Sequence, residues 1–383
     1  MREYLLVLLV AAGATYLLSG LCRSLAVRTG VLATVRSRDV HTHPIPYLGG
    51  IAMFGGLVIA FTVALQMPFL GRYALVAHDA VGVLWAGLII TIVGALDDKY
   101  DLNPIVKLCG QVLAAGVAVL NGVRLFWIPL PDRIISLDEA SSILITVLVI
   151  AVCVNAVNFV DGLDGLAAGV VAIGSGAFFS YTYVLAYQQG LERATTASLI
   201  TVATCGIAIG FLFHNWHPAK MFMGDSGAML LGLLMAMSAI SYTGQFDPSA
   251  VAQGSDVVPT LLPILLPVAA LALPLVDLVT AWLRRAWNGQ HPFSADKQHL
   301  HHRLIARGHS HWGAVLLMYG WSAVVSVGLV AVALTPQANA VWIVAGALVL
   351  LLVLTIWPVR TAPAALGGAE ADVVDKVGAD EQV

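Results

Sequence analysis

The stretch ILITVLVIAVCVNAVNFVDGLDGLAAGVVAIGSGAFFSYTYVLA, residues 143–186, decides the fold. Two apolar runs meet at a short polar turn, and Asp161 and Asp164 are the only Asp, Glu, Lys or Arg in it. A helix needs about 20 apolar residues to cross a hydrocarbon core of about 30 Å. Working outward from 143–157 and 166–186, similar stretches centre on 4–21, 49–66, 80–96, 105–120, 197–213, 227–242, 260–282, 313–334 and 341–357. They predict an all-α, polytopic transmembrane helical bundle of about eleven spans, with its termini on opposite faces. The first stretch reads as a retained span, because Leu21 precedes Cys22 where a signal-cleavage site would need a small residue. Residues 1–360 form the membrane domain. Residues 361–383, rich in Asp, Glu, Ala and Gly, cannot bury enough apolar surface to fold and read as an acidic disordered tail.

Composition agrees. Hydrophobic residues make up 59% of the chain and charged ones 11%, against about 25% charged in a soluble domain. The mean hydropathy is +0.87. The four cysteines show no CxxC spacing and read as small buried hydrophobes. No nucleic-acid footprint is present. Of the 19 Lys and Arg residues, all but Arg2, Arg72, Arg124, Arg133 and Arg193 fall in the odd-numbered loops or the C-terminal end. The positive-inside rule therefore places the odd loops in the cytoplasm. Asp97, Asp98, Asp161, Asp164 and Asp225 lie in the same loops, as does every histidine except His78. A lipid-solvated bundle has no structural need to gather carboxylates and imidazoles on one side, so the site is expected there.

Three turns supply oxygen ligands. Asp97 and Asp98 are adjacent at a helix end, where like charges repel unless a cation or proton intervenes. Asn155, Asn158, Asp161 and Asp164 line the turn of the opening stretch. Gly224 and Gly227 flank Asp225 at a helix N-terminus, where free N–H groups favour an anion. Each alone reads equally well as a capping turn. Together they suit Mg²⁺, which takes oxygen ligands and leaves positions for phosphate and water. The ninth loop is the cationic counterpart, with Arg284, Arg285 and HPFSADKQHLHHRLIARGHSH (291–311). It admits a phosphate clamp, a loop on anionic lipid heads, or a zinc cluster; adjacent His301 and His302 do not easily face one ion. A transporter is the rival reading, with Asp277 inside an apolar run as the residue to watch. Transporter sites, however, sit near the bilayer midplane.

RDVHTHPIPYLGG (38–50), DDKYDLNP (97–104), NAVNFVDGLDGLAAG (155–169), FHNWHPAKMFMGDSG (213–227) and HLHHRL (299–304) occur in that order. In this the chain resembles the polyprenyl-phosphate N-acetylhexosamine-1-phosphate transferases, the MraY/WecA/TagO family. The HxHH motif resembles the WecA/TagO branch. The resemblance covers about residues 4–357. It implies a UDP-N-acetylhexosamine donor, UDP-GlcNAc first, an undecaprenyl- or decaprenyl-phosphate acceptor, Mg²⁺ as cofactor with Mn²⁺ able to substitute, a homodimer, and a place in the bacterial plasma membrane. It further implies that Asp97 and Asp98 stand beside the acceptor phosphate and that Asp225 and Asn158 hold the metal. Lys107 would meet the pyrophosphate and Phe222 would stack on uracil. Asn155, Asp161, Asp164 and Gly224 would line the donor pocket, and His299, His301, His302 and Arg303 would contact phosphate and sugar. Ala228 departs from the Ser that relatives often carry. The expected chemistry is in-line attack of the acceptor phosphate on the donor's β-phosphorus, with a covalent aspartyl-phosphate route as the alternative.

Overall fold

The structure, a computed structural model, describes residues 1–29, 45–129, 134–188, 192–243, 257–287, 289, 300–335 and 338–357. The tail 361–383, residues 38–44 of the first motif, and His299 lie outside them.

Thirteen α-helices are described: α1 Arg2–Thr29, α2 Gly49–Leu65, α3 Ala74–Tyr100, α4 Pro104–Leu120, α5 Glu139–Val160, α6 Leu166–Gln188, α7 Glu192–Asn215, α8 Gly224–Thr243, α9 Val257–Ala270, α10 Ala272–Trp287, α11 Leu300–Ala306, α12 His311–Leu334 and α13 Ala338–Ile356. One antiparallel hairpin, β1 Trp127–Pro129 with β2 Ile134–Ser136, joins α4 to α5. Each of the eleven apolar stretches corresponds to one helix or to one bent helix pair.

Eight helices are individually long and apolar enough to cross a membrane. The helices α2 and α4 have 17 residues each, about 26 Å at 1.5 Å per residue, the short end of the spanning range. The remaining stretch, 260–282, is not the single straight span that hydropathy suggests, since α9 and α10 meet at 79°. Pro274 stands just past the break, although Pro263 and Pro267 lie within α9 without interrupting it. In a continuous helix the Pro274 ring would strike the carbonyl four residues earlier, at Ala270, where α9 ends. As the third residue of α10 it sits in a first turn that tolerates proline.

Local signals set the other boundaries. Asp138 caps α5 by accepting the Ala140 and Ser141 N–H groups at 3.1 and 3.3 Å, which extends that helix beyond the apolar run. Helix α8 is apolar on every face and buried throughout, the pattern of a central helix. It packs against α3, α5, α7 and α2, while α1 lies on α7 and α2, and α13 leans on α12 at the lipid-facing periphery. Gly206 and Gly210 let α7 lie directly on α1, since a Cβ at either would strike Ala11, Leu8 or Ala12. Such small-residue contacts replace the hydrophobic effect as the glue between helices in lipid. All cysteines are free thiols; Cys153 and Cys205 are buried as expected, but Cys109 is exposed on α4.

Candidate active site

Four helix ends meet at one end of the bundle, each for a local reason. DDKYDLNP makes a tight corner. Asp101 takes a left-handed conformation, φ 52°, that ends α3, and Asp97 Oδ1 accepts the Leu102 N–H at 2.8 Å. Asn103 then caps α4 by accepting the Ile105 N–H at 2.9 Å, with Pro104 in the first turn. The corner returns Lys107 to Asp97, Nζ to Oδ2 at 2.8 Å.

Lys107 also pairs with Asp225 Oδ2 and lies 3.5 Å from Asn158 Oδ1. Asn158 donates through Nδ2 to Asp225 Oδ1 at 2.8 Å. Asp97, Lys107, Asn158 and Asp225 thus form one bonded cluster, drawn from α3, α4, α5 and α8.

The adjacent aspartates have separate tasks. Asp98 turns away from Lys107 and caps α8, accepting the Asp225 N–H at 2.7 Å and the Ser226 N–H and Oγ at 3.3 and 3.0 Å. Gly224, at φ 66°, makes room, because a Cβ there would collide with the Asp98 carboxylate. Asp98 therefore positions the helix that presents Asp225.

The remaining candidates divide. Asn155 exchanges hydrogen bonds with buried Gln111 at 2.7 and 3.4 Å, so it ties α5 to α4. Asp161 is held up to about 8, by burial first and then by the carboxylates of Asp225, Asp98 and Asp164. Asp164 is buried and accepts from Ala219 N–H at 3.0 Å, with His217 Nδ1 at 2.7 Å. Phe222 lies beside Tyr47, ring centroids 5.8 Å apart, and its N–H donates to the Pro46 carbonyl at 3.0 Å. Arg303 is exposed on α11 and takes no part in the cluster's bonds. The backbones of His301 and His302 belong to α11, and their side chains lie outside the described residues. Asp277 is buried on α10 and accepts the Leu300 N–H at 2.8 Å, so it anchors α11.

Three contributors escape a reading of the sequence. Gln111 looks like one polar residue in an apolar run. Asn215 joins two loops by accepting the Gly165 N–H at 2.9 Å and donating to the Met221 carbonyl at 3.0 Å. Ser226 shares Asp98. The only clue to each is a polar side chain within an otherwise apolar stretch or beside a motif.

Chemically the cluster needs cations. Asp97, Asp98, Asp161 and Asp225 converge, and among the described residues Lys107 is the only ammonium bonded to them. Its Nζ already bridges two carboxylates, as a divalent cation would. The donors on offer, the carboxylates of Asp225 and Asp97 and the amide oxygen of Asn158, are the hard oxygens that Mg²⁺ prefers. The residues fit that ion.

A polytopic helical bundle with a polar, multivalent site at one end defines the class, an integral-membrane enzyme working at the edge of the bilayer. The family model described as glycosyl transferase family 4 matches residues 80–243, which contain the whole bonded cluster. The chain is 41% identical over 362 residues to a decaprenyl-phosphate N-acetylglucosaminephosphotransferase of Mycobacterium tuberculosis, covering 94% of this chain and 89% of that one. The Mycobacterium leprae protein of the same name is also 41% identical, over 94% of this chain and 91% of its own. An undecaprenyl-phosphate alpha-N-acetylglucosaminyl 1-phosphate transferase of Yersinia pestis is 28% identical over 82% of this chain and 80% of its own. The chain belongs to this family of membrane glycosyl transferases.

Proposed function

We propose that the chain transfers N-acetylglucosamine 1-phosphate from UDP-N-acetylglucosamine to a polyprenyl phosphate, releasing UMP, at a Mg²⁺-dependent site on the cytoplasmic face of a bacterial plasma membrane. The acceptor and the sugar rest on the names of relatives that align along almost the whole chain. The nucleotide donor rests on the family resemblance, the metal on the oxygen ligands of the site, and the sidedness on the Lys and Arg bias of the loops. The observation that carries the reading is the bridge from Lys107 to both Asp97 and Asp225, with Asn158 alongside.

Two phosphorylated substrates bring about four negative charges to one place, and their approach is Coulombically prohibitive unless neutralised. Lys107 supplies part of that charge and would exchange a carboxylate partner for a phosphoryl oxygen. Asp225, Asn158 and Asp97 would hold Mg²⁺, which when bound neutralises the diphosphate and stabilises the leaving phosphate. The acceptor phosphate, with a second pKa near ~6, is mostly dianionic at neutral pH. Asp97 therefore needs only to orient it and to take up a residual proton. Phe222 and Tyr47 offer aromatic faces for a nucleobase. The family resemblance adds Arg303 with His299, His301 and His302 as phosphate and sugar contacts.

Purified protein given UDP-N-acetylglucosamine, decaprenyl phosphate and Mg²⁺ should release UMP, and omission of any one should abolish release. A burst of UMP equal to the enzyme present before lipid is added would instead establish the covalent aspartyl route. Release that is indifferent to Mg²⁺ chelation would overturn the metal assignment.

A further inference from the structure

The turn between α5 and α6 carries Asp161 and Asp164, and the fold holds it from two sides. Asn215 accepts the Gly165 N–H at 2.9 Å, and Tyr319 of α12 donates to the Gly165 carbonyl at 2.5 Å. The buried Asp164 is gripped by the short segment that follows α7. Its Oδ2 lies 2.7 Å from His217 Nδ1 and accepts the Ala219 N–H at 3.0 Å. A carboxylate only accepts, so His217 presents a protonated Nδ1 to it.

We propose that His217 is a positioning residue for the nucleotide-sugar donor, acting through its hydrogen bond to Asp164. The inference rests on the transferase reading and deepens it. The segment that holds Asp164 runs within a few residues into Phe222 and Asp225. The His217–Asp164 bond therefore ties together the two chain stretches between which the donor would lie. One is the turn with Asp161 and Asp164, and the other presents the Phe222 ring and the Asp225 carboxylate. Burying an ionised carboxylate is costly unless it is paired, and a hydrogen bond to a charged acceptor is stronger than a neutral one. Asp164 thus holds its place as long as His217 does. Asp161, in the same turn, senses the carboxylates of Asp225 and Asp98 as well as that of Asp164. A shift of the turn would reach the edge of the Lys107 cluster.

His217 is itself braced. Its imidazole stacks on that of His311, at the start of α12, with centroids 4.1 Å apart and planes inclined by 22°. Trp312 meets it edge-on at 5.9 Å, and Trp216 packs on Trp312 at 4.6 Å. Turning the ring over would carry Nδ1 away from Asp164, and rings packed on its face and edge oppose that motion. His311 supports the orientation of His217 and stands one step further from the donor.

The test is steady-state UMP release by the full chain in detergent, with UDP-N-acetylglucosamine and decaprenyl phosphate varied in turn. His217→Ala should raise the donor KM about tenfold, leave the decaprenyl phosphate KM unchanged and lower kcat by less than about threefold. A conservative pair identifies the atom, and keeps the test open if the alanine variant does not fold. The amide nitrogen of Asn falls where Nδ1 lies, whereas that of Gln falls near Nε2. His217→Asn should therefore return the donor KM to the wild-type value, and His217→Gln should not. His311→Ala should give a smaller rise. A wild-type donor KM in His217→Gln, an equal rise in both KM values, or a donor KM that Asn does not restore would each overturn the positioning role. A wild-type chain that releases no UMP would overturn the transferase reading, and this inference with it, so the two failures are told apart.

Discussion

Asp97 and Asp98 are chemically identical neighbours, and only their partners tell them apart. Asp97 faces Lys107, whereas Asp98 takes two backbone N–H groups and a hydroxyl at the start of α8. Asp98→Ala should therefore cost about 1–2 kcal/mol of stability as a lost cap, and activity with it. Asp97→Asn should leave thermal unfolding nearly unchanged and lower turnover ~100-fold or more, by analogy with loss of a preorganised charge contact. Parallel melting curves and UMP-release rates test the division; equal destabilisation by both substitutions would refute it. Asp161 gives a pH prediction. Its folded-state value of about 8 lies above the ~3.9 of an unfolded aspartate. The folded chain thus holds this proton more tightly, and the stability it contributes is present in acid and is lost as pH rises towards 8. Without divalent cations the melting temperature should fall between pH ~4 and ~8. Asp97 and Asp98, raised by burial first to about 6 and about 7, add to the same slope, so Asp161→Asn should reduce it without abolishing it; an unaltered slope would refute the assignment.

At the scale of elements, the sharpest departure from hydropathy is the bend between α9 and α10. Window averages over 260–282 carry no information about the Ala270 carbonyl that Pro274 would strike, so a broken helix and a straight one look alike. The capping signals at Asp138 and at Asn103-Pro104 are, by contrast, entirely local and are readable directly. Asp277 shows how element and site connect. From within an apolar run it looks like an ion-pathway residue, yet it holds the first N–H of α11. Asp277→Ala should release that short helix, raising KM for the nucleotide donor more than it lowers kcat, because the chemical cluster on α3, α4, α5 and α8 is untouched. Steady-state kinetics measure this, and a pure kcat loss would place Asp277 in the chemistry instead.

For the whole molecule the open quantity is sidedness. The Lys107 cluster lies at the end of the bundle where Arg23 Nε meets the Lys220 carbonyl at 3.2 Å. The opposite end carries Glu3, which accepts the Phe69 and Leu70 N–H groups at 2.9 Å. The loop sequences on the cluster's side carry the Lys and Arg excess. In a cysteine-free background, Lys99→Cys should therefore react with a membrane-impermeant maleimide only after the cytoplasmic side is opened. Arg72→Cys should react from outside in intact cells. The reverse pattern would invert the orientation and deny a cytoplasmic nucleotide its access.

By itself the sequence determined that the chain spans the membrane many times, that its carboxylates gather on one side, and to which family it belongs. Those properties depend on composition, on 20-residue windows and on motifs whose spacing is local. Only the tertiary structure decided which of two adjacent aspartates meets Lys107, and that Asn155 spends its amide on Gln111. It also decided that Asp277 is an anchor and that two Trp–His pairs, 94 residues apart by His217 and His311, stack on one another beside Asp164. The physical reason is the same each time. A hydrogen bond or an ion pair is settled within about 3 Å, and helices carry residues that are distant in sequence to within that range only once they have packed.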